Sequence, residues 1–210
     1  EVLQHNTEIG KREYLEVLTN DYLYNDLLIL KDIHHSPQLR DLVKLLAFQI
    51  GNLVSVSEIA AQLGLNRETV ARYIYLLEKS FIIIRLSGFS KNLRKEITKM
   101  NKFYFLDVGV RNSVIGNFNR MPDRDDVGAL WENFFIGERI KYNAYKRYFT
   151  RPYFWRTHTK AEIDYVETDT DSIRGYECVW NERRKKRMPP SWKQAYPHAT
   201  WTKVDRTNWS

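Results

Sequence analysis

Cysteine is nearly absent from this chain: Cys178 stands alone among 210 residues, so no internal disulfide forms, and a reducing cytoplasm is the expected setting. No apolar run approaches the roughly 20 residues that a membrane-spanning helix needs, and no signal-peptide pattern is seen, so a membrane is not an expected partner. Histidine is scarce, and His5, His34, His35, His158 and His198 show no metal-ligand spacing, which argues against zinc. The phosphate-binding pattern G-x-x-x-x-G-K-[ST] does not occur, so ATP hydrolysis by that route is excluded and no cofactor is expected here. Internal repeats and low-complexity tracts are lacking too.

What is present is a core-forming apolar share of 43%, a charged share of 28% and a formal net charge of +7. A basic balance points to an anionic partner, with nucleic acid the first candidate and a merely solubilising surface the bland alternative. The chain opens on Glu1 rather than a methionine, and we read it as part of a longer protein.

Residues 13 to 31 carry apolar side chains at helical spacing with an interruption near Asn20, and residues 38 to 50 predict another helix that starts after Ser36 and Pro37 and stops at Gly51. In "SVSEIAAQLGLNRETVARYIYLLEKSFIIIRL" we expect a helix over 57–63 capped by Ser57, a turn at Gly64, and a helix over 67–79 capped by Asn66. Ile59, Leu63, Leu65, Val70, Ile74 and Leu77 form the inner faces of this helix-turn-helix. "FIIIRL" and "NKFYFLD", with the basic stretch between them, predict the paired strands of a wing. Polar, turn-rich residues 116–128 read as a linker. Beyond them a helix, three strands, a helix and a strand predict a small α/β unit. The expected fold class is mixed α and β: helices over 1–35, a winged helix over 36–115, the linker, and a small α/β domain over 129–210.

On the second helix of the helix-turn-helix, Asn66, Arg67, Thr69, Arg72 and Tyr75 face outward as candidates for major-groove contact, and Lys91, Lys95 and Lys99 of the wing for phosphate contact. Glu68 and Glu78 dilute that positive face, and winged helices also serve as protein-binding modules. In "EIDYV" and "YECVW", Asp164 and Glu177 lie on strands that would bring them together if paired, Asp164 on the face opposite Ile163 and Tyr165. A third acid comes from Glu132 in the preceding helix, or from Glu138, which shares a stripe with Trp131, Phe134 and Phe135. Such carboxylates hold Mg²⁺ in phosphodiester hydrolysis, with a lysine to neutralise the transition state. Each acid also has an ordinary reading, as a first-turn or exposed strand residue.

With "SVSEIAAQLGLNRETVARYIYLLEKSFIIIRL", "KFYFLDVGVRNSVIG", "GALWENFFIGERI", "YFWRTHTKAEIDYVE" and "GYECVWN" in view, the chain from about residue 15 to 200 resembles the C-terminal half of bacterial and archaeal AAA-type ATPases that end in domain of unknown function 4143. The resemblance implies an ATP-binding ATPase domain before this stretch, of which residues 1–35 would be a helical remnant, then a winged helix, and over 129–210 a restriction-endonuclease-like domain similar to PD-(D/E)XK nucleases, with Glu132, Asp164 and Glu177 at the family's acid positions. The lysine of the E-x-K element is replaced by Val179, which neither carries charge nor positions water. The run Arg183, Arg184, Lys185, Lys186 and Arg187 would supply a displaced charge or a phosphate-binding patch.

The expected function is therefore a nucleic-acid-binding or regulatory region of an ATPase, with its own ATPase domain as partner and a nuclease shell that does not cut. The alternatives are an active nuclease, with Asp164 and Glu177 as Mg²⁺ ligands, and an oligomerisation arm that makes a homo-oligomer.

Overall fold

The computed structural model describes residues 4, 7–26, 36–90 and 100–209, and its class is mixed α/β. Two compact units emerge: Glu1–Ile84 with Phe103–Arg124, and Arg85–Lys102 with Asp125–Ser210. Residues 85–102, which the sequence reading groups with the winged helix, thus fall in the second unit.

In the first unit, α1 (Glu8–Leu18) is capped by the Thr7 hydroxyl and passes at Thr19 into a π-helical segment, Thr19–Asp26, close to the interruption expected near Asn20. Helix α2 (Ser36–Phe48) buries Leu39, Leu42, Val43 and Leu46. A two-residue strand, β1 (Val54–Ser55), leads into α3 (Val56–Leu63). The cap of α3 is Ser55, whose Oγ accepts from the Glu58 amide, and not Ser57 as expected. The S-x-x-E spacing from Ser55 to Glu58 explains the two-residue difference, since it is the capping-box pattern. Gly64, at φ 63°, takes the left-handed conformation that ends α3. Asn66 then caps α4 (Arg67–Lys79), which buries Val70, Tyr73, Ile74 and Leu77. Strands β2 (Ile83–Gly88) and β3 (Met100–Phe105) follow, and each crosses from one unit into the other. Within the first unit the Leu106 amide bonds the Ile82 carbonyl. Helix α5 (Val108–Ile115) sends the buried Arg111 to the Ala47 carbonyl at 2.9 Å.

The second unit is built on α6 (Val127–Tyr145), β4 (Arg151–Arg156), β5 (Glu162–Thr168), β6 (Ile173–Cys178), α7 (Pro190–Ala195) and β7 (Thr200–Val204), the expected order. The end of β2 runs parallel to β4, β4 and β6 run antiparallel to β5, and β7 runs parallel to β6. On one face of the sheet Trp155, Ile163, Val166, Trp192 and Tyr196 form a core. A Cβ at Gly175 would come within 3.2 Å of both Ile163 and Trp192, so glycine lets α7 settle on the strands. On the other face Phe135 of α6 meets Tyr165 and Tyr176.

Beside that contact Glu167, fully buried, accepts from Arg139 at 2.6 Å, Arg174 at 2.8 Å, Asn143 at 2.8 Å and the Tyr176 hydroxyl at 3.0 Å. Burial opposes its charge, but these donors win and hold it down at about 2, from an ordinary 4.5. A depressed folded-state value contributes stability at pH above the ordinary one and loses it as pH falls. Glu167→Gln is expected to cost about 3–5 kcal/mol in chemical denaturation. The wild type should lose stability between pH 4.5 and about 2, and the variant should lack that part of the acid transition.

Candidate functional site

The strand pair β4–β5 contains the irregularity that shapes the site. Tyr153 is opposite Val166 and Trp155 is opposite Ile163, so a two-residue step on β4 faces a three-residue step on β5. That extra residue is a β-bulge, and it breaks the alternation assumed from sequence. Ile163 and Tyr165 consequently sit on opposite faces, Ile163 with Trp192 and Tyr165 with Phe135 of α6. The expected placement of Asp164 opposite both is corrected accordingly.

Around Asp164 the structure gathers the acids that sequence reading picked out. Asp164 Oδ2 accepts from the Cys178 amide at 2.8 Å, across the β5–β6 pair. Burial first, then Glu132 and Glu177, push its carboxyl well above the ordinary aspartate value, against the pull of Lys102. Glu132 of α6 joins this group, whereas the alternative Glu138 pairs with Lys141 at 2.5 Å on the helix surface.

The cation in the middle was not anticipated. Lys102 of β3 is buried, and its Nζ lies 2.5 Å from Glu162 and 3.3 Å from Glu132. Burial works against its charge, but Glu132, Glu162 and Asp164 hold the ammonium above the ordinary lysine range. A lysine inside the apolar strand sequence "MNKFYF" was the available signal, and it was read instead as part of the basic wing.

Glu177 is buried and bonds Lys186, a member of the basic run that the sequence reading offered as a source of displaced charge. Its carboxyl is raised by burial, with Lys186 opposing. Val179 is buried, and its amide bonds the Val204 carbonyl at 2.8 Å, so the side chain at the E-x-K lysine position packs into the core. The Cys178 thiol is pushed well up by burial and by Asp164, which leaves it a poor nucleophile.

The Mg²⁺ that the nuclease resemblance implies does not fit this donor set. Asp164 is engaged by a backbone amide, Glu132 and Glu177 each face an ammonium, and among the described residues no group of three or more His, Cys, Asp or Glu side chains is arranged to hold a metal ion.

The other candidates lie elsewhere. Arg67, Arg72 and Tyr75 of α4 are exposed and Thr69 is half-buried, while the Asn66 side-chain oxygen is occupied by the Thr69 amide at 2.7 Å. Lys79 lies over the Tyr75 ring at 5.4 Å, which adds a cation to that face. Lys91, Lys95 and Lys99 fall outside the described residues. Arg183, Arg184, Lys185 and Arg187 are exposed after β6.

Because the raised Asp164 carboxyl costs the fold stability as pH rises above its ordinary 3.8, Asp164→Asn should stabilise the protein by about 0.5–2 kcal/mol at neutral pH and by less in acid. Lys102→Met, which removes the buried ammonium between Glu132 and Glu162, should cost about 3–5 kcal/mol. Thermal melts at several pH values check both, and an unchanged or lower melting temperature for Asp164→Asn would refute the assignment of strain to that carboxyl.

Among described residues no helix is long and apolar enough to cross a membrane. The resemblance to domain of unknown function 4143 holds at residues 127–204, which match that family, while residues 1–120 match a different one, the domain of unknown function DUF8612. The uncharacterized protein Rv2008c of Mycobacterium tuberculosis is 31% identical over 127 residues, 59% of this chain and 28% of its own length. Uncharacterized protein Mb2031c of Mycobacterium bovis matches to the same extent, so this chain spans little more than a quarter of the length of these relatives. No solved structure matches significantly. With the DUF8612 match covering more than half of its length, the chain belongs to the DUF8612 family, and its residues 127–204 are similar to domain of unknown function DUF4143.

Proposed function

We propose that this chain is a nucleic-acid-binding, non-cutting region of a larger, cytoplasmic AAA-type ATPase. In this reading α3 and α4 form a DNA-contacting helix-turn-helix, and the second unit is a nuclease-like shell that holds nucleic acid without hydrolysing it. The observation that carries the non-cutting part is the pairing of buried Lys102 with Glu132 and Glu162. An ammonium there neutralises carboxylates that a hydrolytic metal would need. The nucleic-acid part is supported by the net charge of +7 and the exposed Arg67 and Arg72 on α4.

One observation favours a second reading. Lys186 reaches Glu177 from the basic run, as a migrated E-x-K lysine in an active nuclease would. Anisotropy of labelled duplex DNA across a salt series, with and without Mg²⁺, separates the two when the same samples are assayed for cleavage. The expected result is salt-sensitive binding without cleavage, with the salt slope reduced by about one for each of Arg67→Ala and Arg72→Ala. Mg²⁺-dependent cleavage that Asp164→Ala abolishes would establish the nuclease. Absence of binding, with self-association that survives both arginine substitutions, would establish an oligomerisation arm.

A further inference from the structure

The end of α6 presents a surface that neither the helix-turn-helix nor the acid cluster uses. Tyr142, Tyr145, Tyr148 and Phe149 are all exposed, Tyr145 at 83% and Phe149 at 94%, so four large apolar side chains lie open within eight residues. Single exposed aromatics are ordinary, but a contiguous group marks a contact surface. Cations interleave with these rings. Lys146 lies 5.8 Å from the Tyr142 centroid and 5.9 Å from that of Tyr145. Lys146, Arg147 and Arg151 make no ion pair among the described residues, in contrast to Lys141, which is neutralised by Glu138.

The backbone holds this surface in one shape. The Arg147 amide bonds the Ala144 carbonyl at 3.1 Å and the Tyr148 amide bonds the Asn143 carbonyl at 2.8 Å, the Schellman pattern at a helix end. Buried Asn143 ties the turn to Thr150 at 3.1 Å and to Glu167 at 2.8 Å. The left-handed position in this motif, where glycine is usual, is taken by Arg147 at φ 57°. Arginine there sacrifices some stability and keeps a cation at the tip. Next to Phe149 opens a cavity of about 620 Å³ whose walls include Phe89, Arg151, Tyr153 and Thr170. Its one acid, Asp169, is engaged by Arg174 at 2.8 Å and by Ser172.

We infer that the aromatic and basic turn from Tyr142 to Arg151 is a binding surface for single-stranded nucleic acid, with Tyr145 and Phe149 stacking on bases and Lys146, Arg147 and Arg151 meeting phosphates. It rests on the reading above that the chain works on nucleic acid, and it adds a second surface with a preference of its own. Rings open to solvent stack only on bases that are not already stacked in a duplex, so the single strand is the fitting partner. The tyrosine-rich, leucine-free make-up of the turn favours base stacking over insertion into a lipid surface.

The test uses the whole chain, with a labelled oligothymidylate and a labelled duplex read by anisotropy. Tyr145→Ala and Phe149→Ala should each weaken oligothymidylate binding about ten-fold and leave duplex binding unchanged. Arg147→Gly, which suits the left-handed turn and so preserves the fold, should weaken single-strand binding and reduce its salt slope. Arg67→Ala with Arg72→Ala should do the reverse, lowering duplex affinity alone. Unchanged oligothymidylate affinity in the turn variants, with duplex binding still sensitive to Arg67 and Arg72, overturns this surface and leaves the broader reading standing. Failure of the wild type to bind either probe overturns both. Loss of self-association or of binding to anionic vesicles in the turn variants, with single-strand affinity intact, also overturns it.

Discussion

Lys102 is the charge on which the second unit's acid cluster depends. Glu132, Glu162 and Asp164 come from a helix and a strand that the fold brings together, and carboxylates so close repel one another in a poorly solvated place. A buried ammonium in contact with two of them makes the arrangement tolerable without an added ion. Removing one partner of such a set is costly, because it leaves charge stranded out of water. The lysine also sets the electrostatics of the site, since Glu132 and Glu162 both face its ammonium. Asp164 remains the least satisfied member, with the Cys178 amide as its hydrogen-bond partner among the described residues and a carboxyl that burial first, then Glu132 and Glu177, push toward the neutral form.

Further along β5 the same sheet solves a similar problem differently. Glu167 is fully buried, yet two arginines, an amide and a phenol bond it, and it stays ionised down to strongly acid pH. The contrast separates two roles for buried acids. Glu167 binds α6 to β5 and β6 and through Asn143 fixes the turn after α6. The Asp164 group, by comparison, carries a repulsion that a purely structural site has no reason to keep. Val179, two residues after Glu177, is buried and brings no charge to that group.

Much of this was legible in the residues. The turn at Gly64, the Asn66 cap and the helix over Arg67–Lys79 follow from local capping chemistry and 3.6-residue spacing. The strand-forming runs around Asp164 and Glu177 announced that these two acids would approach if the strands paired, and the family resemblance pointed to Glu132, whereas the aromatic stripe of α6 pointed to Glu138. What was not legible depends on long-range pairing. The bulge in β5 has no local signature and exists because of the register against β4, so strict alternation misplaced Asp164. Lys102 stands among basic neighbours in the sequence, and its place beside Glu132 and Glu162 is a long-range contact with no local signal. The cap at Ser55 was visible as S-x-x-E and was displaced in the reading by the equally plausible Ser57.

The most direct test of the central claim, that lysines stand where a catalytic cation would, is thermal unfolding of the wild-type chain at neutral pH with millimolar Mg²⁺ or Mn²⁺. A cation that binds the folded site stabilises it in proportion to the logarithm of its saturation. The account expects no shift in melting temperature beyond that of a matched monovalent salt. A clear rise with either metal, abolished by Asp164→Asn, would contradict it and show that the acid cluster still binds a divalent ion.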